Sequence, residues 1–193
     1  MIHGTTQIYG VIGDPISHSL SPSLQNPAFT ALGIDAVYVT FQVSPSSLGD
    51  ALRGLLALNV QGINVTVPHK SNVFQYLDEV TDTARKIGAV NTLRNDSGQW
   101  IGENTDATGF IRSLEPLGLN LSDSSVGMLG AGGAARGVAV GLLEAGVSQL
   151  FISNRSYERA NLLAELLKAS FGQQSVSAVS LDCLLYTSPS PRD

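Results

Sequence analysis

Lys70 closes the segment INVTVPHK at residues 63–70, directly behind a run that reads as a β-strand. A lysine ammonium working with a carboxylate can carry the proton that must accompany a hydride. Asp106, at the start of a later helix, is the carboxylate this chain offers, so Lys70 and Asp106 form the candidate catalytic pair. Neutral hydrogen-bonding residues recur near the other strand ends. Ser19 and Ser21 lie in the loop after the first strand, Thr66 follows the third, and Asn91 stands at the start of another. Together with Lys70 and Asp106 they suit a polyhydroxylated ligand, because hydroxyl and amide groups can both donate and accept. Sites in parallel sheets gather where strands end, which would bring these segments together. Plainer readings stand beside this one. Lys70 could be an ordinary surface lysine, the serines an ordinary loop, and Asp106 a helix cap, a role Asp favours and which is compatible with chemistry. His18 and His69 have no third ligand at metal spacing, so no zinc site is read.

A second constellation begins at residue 130. Gly130, Gly132 and Ala135 form G-x-G-x-x-A directly after a strand and at the mouth of a helix. Small residues there permit the tight turn, the approach of a pyrophosphate and close helix–strand contact. The helix N-terminus supplies amides and a positive partial charge. The loop Gly130, Ala131, Gly132, Gly133, Ala134 is therefore a candidate dinucleotide site. At the end of the next strand, where NAD sites usually carry an acid, stand Asn154, Arg155 and Ser156, with Arg159 one turn on. A carboxylate repels a 2′-phosphate and an arginine attracts it, which favours NADP. The alternatives are a sterically forced turn serving another ligand, and a solvated Arg155.

The elements that must position these residues alternate. Strands are expected at 7–13, 36–43 and 61–68, with helices over Leu24–Leu32, from Pro45 to Leu58 with an apolar stripe of Leu48, Leu52, Leu55 and Leu56, and from about His69. Residues 89–103 read as a hairpin turning at RNDS, and a helix covers roughly 107–116. After a turn-rich loop at 117–124 the pattern restarts. A strand leads through the glycine loop into a helix, a second strand follows, and then a helix over 157–172 that would bury Leu162, Leu163, Leu166 and Leu167. A third strand is expected within 175–181. The fold class is thus α/β: an N-terminal α/β/α substrate domain on a mostly parallel sheet, then an incomplete Rossmann-like NADP-binding domain. The expected boundaries are 1–106 for the first domain, 107–122 for a bridging helix and linker, 123–182 for the partial second domain and 183–193 for a tail.

Bulk properties narrow the class. The net charge is −5 over 193 residues with no basic block, which argues against nucleic acid as a partner. The single cysteine, Cys183, offers neither a disulfide framework nor a thiolate metal site. No basic start leads into an apolar core, and no run reaches the roughly 18 apolar residues of a membrane span. A cytoplasmic protein without a membrane partner is expected.

Six segments together resemble the shikimate dehydrogenase family: GDPISHSLSPSLQN at 13–26, INVTVPHK at 63–70, GAVNTL at 88–93, GENTDATGF at 102–110, GAGGAARG at 130–137 and NRS at 154–156. Their order and separation match as well, and the resemblance runs from residue 7 to about 182. It implies reversible, NADPH-dependent reduction of 3-dehydroshikimate to shikimate in aromatic amino acid biosynthesis, with a cleft between substrate and NADP domains. Lys70 and Asp106 match the family's catalytic pair, Lys70 as proton carrier and Asp106 as its orienting partner. Ser19, Ser21, Thr66, Asn91 and Asp106 match its substrate contacts. The GAGGA loop and Asn154–Arg155–Ser156 match its NADP-binding parts. Ala107 stands where the family commonly has glycine, and Ser156 where it commonly has threonine. Monomers and homodimers both occur. The alternatives are a quinate/shikimate dehydrogenase using NAD and a relative that binds ligand without turning it over.

The resemblance also implies a longer chain, with further cofactor-domain strands, helices returning to the substrate domain, and a tyrosine and a glutamine of the substrate site. Residues 183–193, CLLYTSPSPRD, lack periodicity and carry Pro189 and Pro191, which break strand and helix alike. They read as non-native sequence. On this reading the 193-residue chain is expected to fold poorly or to be inactive.

Overall fold

The computed structural model describes residues 2–172 and 176–183, and it divides into two compact units, Met1–Asn104 and Thr105–Asp193. The first is built on a six-stranded sheet: β1 (Gln7–Gly13), β2 (Ala36–Gln42), β3 (Gly62–Val65), β4 (Glu79–Val80), β5 (Thr92–Asp96) and β6 (Gln99–Glu103), in the order β2-β1-β3-β5-β6-β4. β1 is parallel to both β2 and β3, and β4 to β6, whereas β5 is antiparallel to β3 and β6. The sheet is therefore mixed but mostly parallel.

Side-chain alternation splits the sheet into two faces. Ile12, Ile63, Val65 and Leu93 point to the face covered by α2 (Leu48–Ala57), where Leu48, Leu52 and Leu55 are buried among them and Leu56 packs at the edge. Val11 and Tyr38 point to the other face, packed with Ile16, Tyr9 and Phe29 of α1 (Ser21–Ala31). Asn26 of α1 fastens that helix to the edge strand. Its Oδ1 accepts from the Tyr38 backbone N–H at 2.8 Å, and its Nδ2 donates to the Tyr38 carbonyl at 2.9 Å. Both outward-facing groups of Tyr38 are thereby satisfied at an otherwise open sheet edge.

Several expected elements are shifted. α1 begins at Ser21 rather than Leu24, since Pro22 in the first turn lacks an N–H that the turn would leave unbonded anyway. β3 is shorter than the run 61–68, because Thr66–Pro68 leave the sheet. No α-helix starts at His69. The Lys70 carbonyl, which a helix would have bonded to Phe74, accepts instead from Val90 N–H at 2.8 Å, and a 3₁₀ turn spans Asn72–Tyr76. The helix of this stretch is α3 (Asp82–Ile87), whose signals went unread: Thr81 caps it by accepting from Ala84 N–H, and Gly88 ends it at φ 67°. The hairpin β5–β6 turns at Ser97 and Gly98, both at positive φ, instead of at RNDS. Arg94, Asn95 and Asp96 continue the strand, and Asn95 Oδ1 holds the Gly98 N–H at 3.0 Å.

The second unit opens with α4 (Asp106–Leu114) and continues through β7 (Ser125–Leu129), α5 (Gly133–Glu144), β8 (Gln149–Ser153), α6 (Tyr157–Phe171) and β9 (Val176–Ala178). β7, β8 and β9 form a parallel sheet in that order, the arrangement of one Rossmann-like half. α4 lies close against α5: a Cβ on Gly141 would meet the Ala107 carbonyl oxygen at 3.0 Å. α6 buries Ala160, Leu163, Ala164 and Leu167, an i, i+3, i+4, i+7 stripe. Leu162 and Leu166, expected in that stripe, lie on its flank, Leu162 69% exposed. The two alanines take their places because they let the helix sit close to β8 and β9. Of the tail, only Cys183 falls within the described residues, and it is exposed. No helix among them is long and apolar enough to cross a membrane.

Candidate active site

In the first unit, three of the predicted segments meet around the carboxyl ends of β1 and β3 and the entry to β5. Gly13 ends β1. A Cβ there would lie 2.7 Å from Thr66 Cγ2 and 2.9 Å from Ile16 Cδ1, so only glycine lets the segment after β3 cross so closely. Thr66 N–H donates to the Ile12 carbonyl at 3.0 Å, and Asp14 N–H to the Val67 carbonyl at 3.1 Å. These bonds fasten the Ser19 loop to the segment that leads to Lys70. Ser21 is the first residue of α1 rather than a loop residue, and Ser19 Oγ donates to Ser21 Oγ at 3.2 Å.

Lys70 is half-buried and held through its backbone. Its carbonyl receives Val90 N–H at 2.8 Å, which sets it beside buried Asn91. Asn91 in turn is fixed on both sides, its carbonyl accepting from Val65 N–H at 2.8 Å and its N–H donating to Glu103 at 3.0 Å. Ser19, Ser21, Thr66, Lys70 and Asn91 thus belong to one unit and one end of its sheet.

Three further residues, His69, Tyr38 and Asn64, complete this region. His69 is fully buried, and its ring Nε2 lies 2.7 Å from the Val43 carbonyl. That oxygen can only accept, so Nε2 carries the proton and ties the turn before Lys70 to the end of β2. Nδ1 has no partner among the described residues. Tyr38 is buried in β2, and its hydroxyl donates to Asn64 Oδ1 at 2.6 Å. Burial pushes its phenol up to about 12, with nearby Ser21 opposing the shift. A groove of about 420 Å³ crosses this face, lined by Tyr9, Tyr38, Asn64, Thr92, Arg94 and Glu103. The alternation that places Tyr38 and Asn64 on this face was readable in the sequence; their pairing across strands was not.

Asp106 lies in the second unit, half-buried as the first residue of α4. Thr105 is the N-cap, and its side chain makes no capping bond. Asp106 therefore stands one residue inside the helix, where a carboxylate is stabilised by the helix dipole.

The glycine loop has the form expected of it. Gly130 has φ 117°, a conformation that L side chains rarely adopt, and its N–H donates to the Ser153 carbonyl at 2.7 Å. Gly132 caps α5 without any side-chain bond to the first-turn amides. Gly132, Gly133 and Ala134 are exposed, and a Cβ on either glycine would meet nothing within 4 Å. The first-turn amides of α5 are thus an accessible anion cradle that fits a pyrophosphate. At the end of β8, Asn154 Nδ2 donates to the Ser156 carbonyl at 3.0 Å, and Arg155 and Arg159 are exposed. Ser156 is the N-cap of α6, accepting from Arg159 N–H at 3.4 Å while its hydroxyl donates to Glu158 at 2.8 Å. That bond holds the Glu158 carboxyl below its ordinary range.

Comparison with known proteins gives a consistent picture. Residues 11–93 match the shikimate dehydrogenase substrate binding domain, and residues 113–185 match the shikimate / quinate 5-dehydrogenase family. The chain is 48% identical over 198 residues to the shikimate dehydrogenase (NADP(+)) of Methanothermobacter thermautotrophicus, covering 98% of this chain and 70% of that protein. Shikimate dehydrogenase from Aquifex aeolicus superposes with a TM-score of 0.85 at 44% identity, covering 93% of this chain and 64% of the other. Shikimate 5-dehydrogenase from Listeria monocytogenes, in complex with shikimate and NAD, gives a TM-score of 0.89 at 36% identity, covering 94% and 63%. Curated relatives are longer: the chain spans 55% of the Symbiobacterium thermophilum protein and 61% of the Caldanaerobacter subterraneus one.

Proposed function

The chain belongs to the shikimate dehydrogenase family, and from that premise we propose that it carries the substrate domain and the phosphate-binding half of an enzyme interconverting 3-dehydroshikimate and shikimate with NADP(H). The observation that carries this reading is the gathering of Ser19, Ser21, Thr66, Lys70 and Asn91 at one end of one sheet, with the Lys70 backbone bonded to Val90. Hydroxyl and amide groups there can hold a polyhydroxylated ring. Lys70 Nζ gives its proton to the ketone oxygen during reduction and takes it back in reverse. Asp106 orients Lys70 and a substrate hydroxyl. NADPH, when bound, supplies the hydride. The first-turn amides of α5 hold its pyrophosphate, and Arg155 with Arg159 meets its 2′-phosphate. A cytoplasmic setting is part of the same proposal, supported by the single cysteine.

The test is NADPH oxidation driven by 3-dehydroshikimate in the complete protein carrying this sequence. Lys70→Ala should lower kcat by about 10²- to 10⁴-fold, the usual worth of a general acid, with NADPH affinity unchanged. Unaltered turnover would remove Lys70 from the mechanism. One observation favours a second reading, in which NAD serves and quinate is also a substrate. Glu158, held by Ser156 in the first turn of α6, is an acceptor available to ribose hydroxyls. A higher kcat/KM with NADH than with NADPH would select it.

A further inference from the structure

His69, the residue before Lys70, is fully buried, and the chemistry proposed above gives it no part. Burying a polar ring is unfavourable unless its N–H finds an acceptor, so the bond it makes matters. Nε2 donates to the Val43 carbonyl at 2.7 Å, and Nδ1 has no partner among the described residues. The peptide groups of His69 are bonded as well. Its N–H donates to the Thr66 carbonyl at 2.9 Å, and its carbonyl accepts from Val73 N–H at 2.9 Å. Ring and backbone together hold this one residue to its own turn, to the 3₁₀ turn behind it and to the end of β2.

The bond to Val43 closes a circuit. Val43 N–H donates to the Gly13 carbonyl at 3.2 Å, and Asp14 N–H donates to the Val67 carbonyl at 3.1 Å. Chain and bonds thus run from Gly13 to Asp14, across to Val67, through Pro68 to His69, across to Val43 and back to Gly13. Two of the three crossings join backbone groups, which most side chains would permit. The third is made by the His69 ring alone. The bond from His69 N–H to Thr66 is local to the turn and does not orient the turn against β2. On its far side Lys70 is already anchored, its carbonyl accepting from Val90 N–H at 2.8 Å. The ring of His69 supplies the anchor on the near side.

We propose that His69 is a positioning residue for Lys70, its bond to Val43 setting the direction in which the turn presents the lysine to the substrate. This assignment rests on the reading of Lys70 as the proton carrier. The role is geometric, because the Nε2 proton is committed to a carbonyl that can only accept. Proton transfer is sensitive to such geometry. Donor and acceptor atoms must meet within about 2.6–3.2 Å. A misplacement of about 1 Å can lower a rate about 10²-fold. Ser19, Ser21 and Asn91 are held by bonds that do not involve His69, so a loosened turn should slow the chemical step more than it weakens ground-state binding.

The experiment compares three variants of the complete protein carrying this sequence. His69→Phe keeps a ring and removes the donor. His69→Asn keeps an amide on a side chain too short to reach Val43, and His69→Gln returns an N–H to about the place of Nε2. His69→Phe and His69→Asn should each lower kcat about tenfold, with the KM for 3-dehydroshikimate changed less than about threefold, and His69→Gln should restore most of the loss. The Val90 amide, bonded to the Lys70 carbonyl, should exchange with deuterium faster in the first two variants than in the wild type or His69→Gln. In a Lys70→Ala background, His69→Phe should cause no further loss, since residues acting through one another are not additive. A folded His69→Phe or His69→Asn with wild-type kcat would overturn the proposal. So would a loss that His69→Gln does not relieve, or one that persists undiminished without Lys70. Failure of both His69→Phe and His69→Asn to fold would make the bond a requirement of the fold and remove the narrower role. If Lys70→Ala itself leaves turnover unaltered, the functional reading falls instead. Val90 exchange then decides alone, faster exchange sustaining the hold on Lys70 and unchanged exchange overturning it.

Discussion

Tyr38 shows how one side chain serves packing and polarity together. Its ring belongs to the apolar cluster under α1, while its hydroxyl donates to Asn64 Oδ1. Burial penalises the phenolate, so the folded pKa sits at about 12 against an ordinary value near 10. The sign follows directly. A raised folded pKa means that the native state keeps this proton when the unfolded chain has released it. Its contribution to stability is therefore fully present below pH about 10 and is lost as pH rises toward about 12. Phenolate absorbance should show one tyrosine ionising near pH 12 in the folded chain, and that step should be absent from Tyr38→Phe. A wild-type titration with no such late step would contradict the buried placement. His69 acts on the same scale through one hydrogen bond, its ring Nε2 donating to the Val43 carbonyl at 2.7 Å.

At the scale of elements, the site depends on how closely β1 and the segment after β3 cross. Gly13 sits at that crossing with Thr66, Ile16 and the Val67 carbonyl all within 3.1 Å of where a Cβ would be. Gly13→Ala should cost about 1–3 kcal/mol in urea-unfolding experiments, the usual penalty for overpacking. It should also displace Thr66 and with it the path to Lys70, so ligand affinity falls along with stability. Full stability in Gly13→Ala would mean that the crossing is looser than these distances indicate. The 3₁₀ turn that replaces the expected helix after Lys70 follows from the same economy of carbonyls. With the Lys70 oxygen committed to Val90, the next residues coil tightly, burying Val73 in the core with Phe74 packed against it.

For the whole molecule, acid is the informative variable. Asp35 is held below its ordinary pKa chiefly by Thr6, Asp96 by Arg94, and Glu158 by Ser156. All three are solvent-exposed, so each contribution is modest, but they share one sign. A depressed folded pKa means that the unfolded chain binds more protons, so the stability these carboxylates provide is present above pH about 4 and is lost as pH falls below it. The urea midpoint should decline between pH about 5 and about 3, and Asp35→Asn should flatten that decline. A midpoint independent of pH in that window would assign these bonds no role in stability. The three carboxylates span both units, joining the start of β1, the β5–β6 hairpin and the first turn of α6.

The sequence by itself determined the alternation of strands and helices, the glycine-dependent turn at Gly130, and the residue types at each strand end, because these depend on local periodicity and on backbone conformations that few residues adopt. It also contained, unread, the Thr81 cap and Gly88 stop of α3. What only the tertiary structure decided are relations between distant segments. The order β2-β1-β3-β5-β6-β4 places Tyr38 across from Asn64, and Asn64 opposite Thr92. It also hands the Lys70 carbonyl to Val90 and buries His69 under Val43. No spacing in the chain encodes those bonds. They form because burying the apolar face of each element fixes one register, and register then decides which polar groups must satisfy one another.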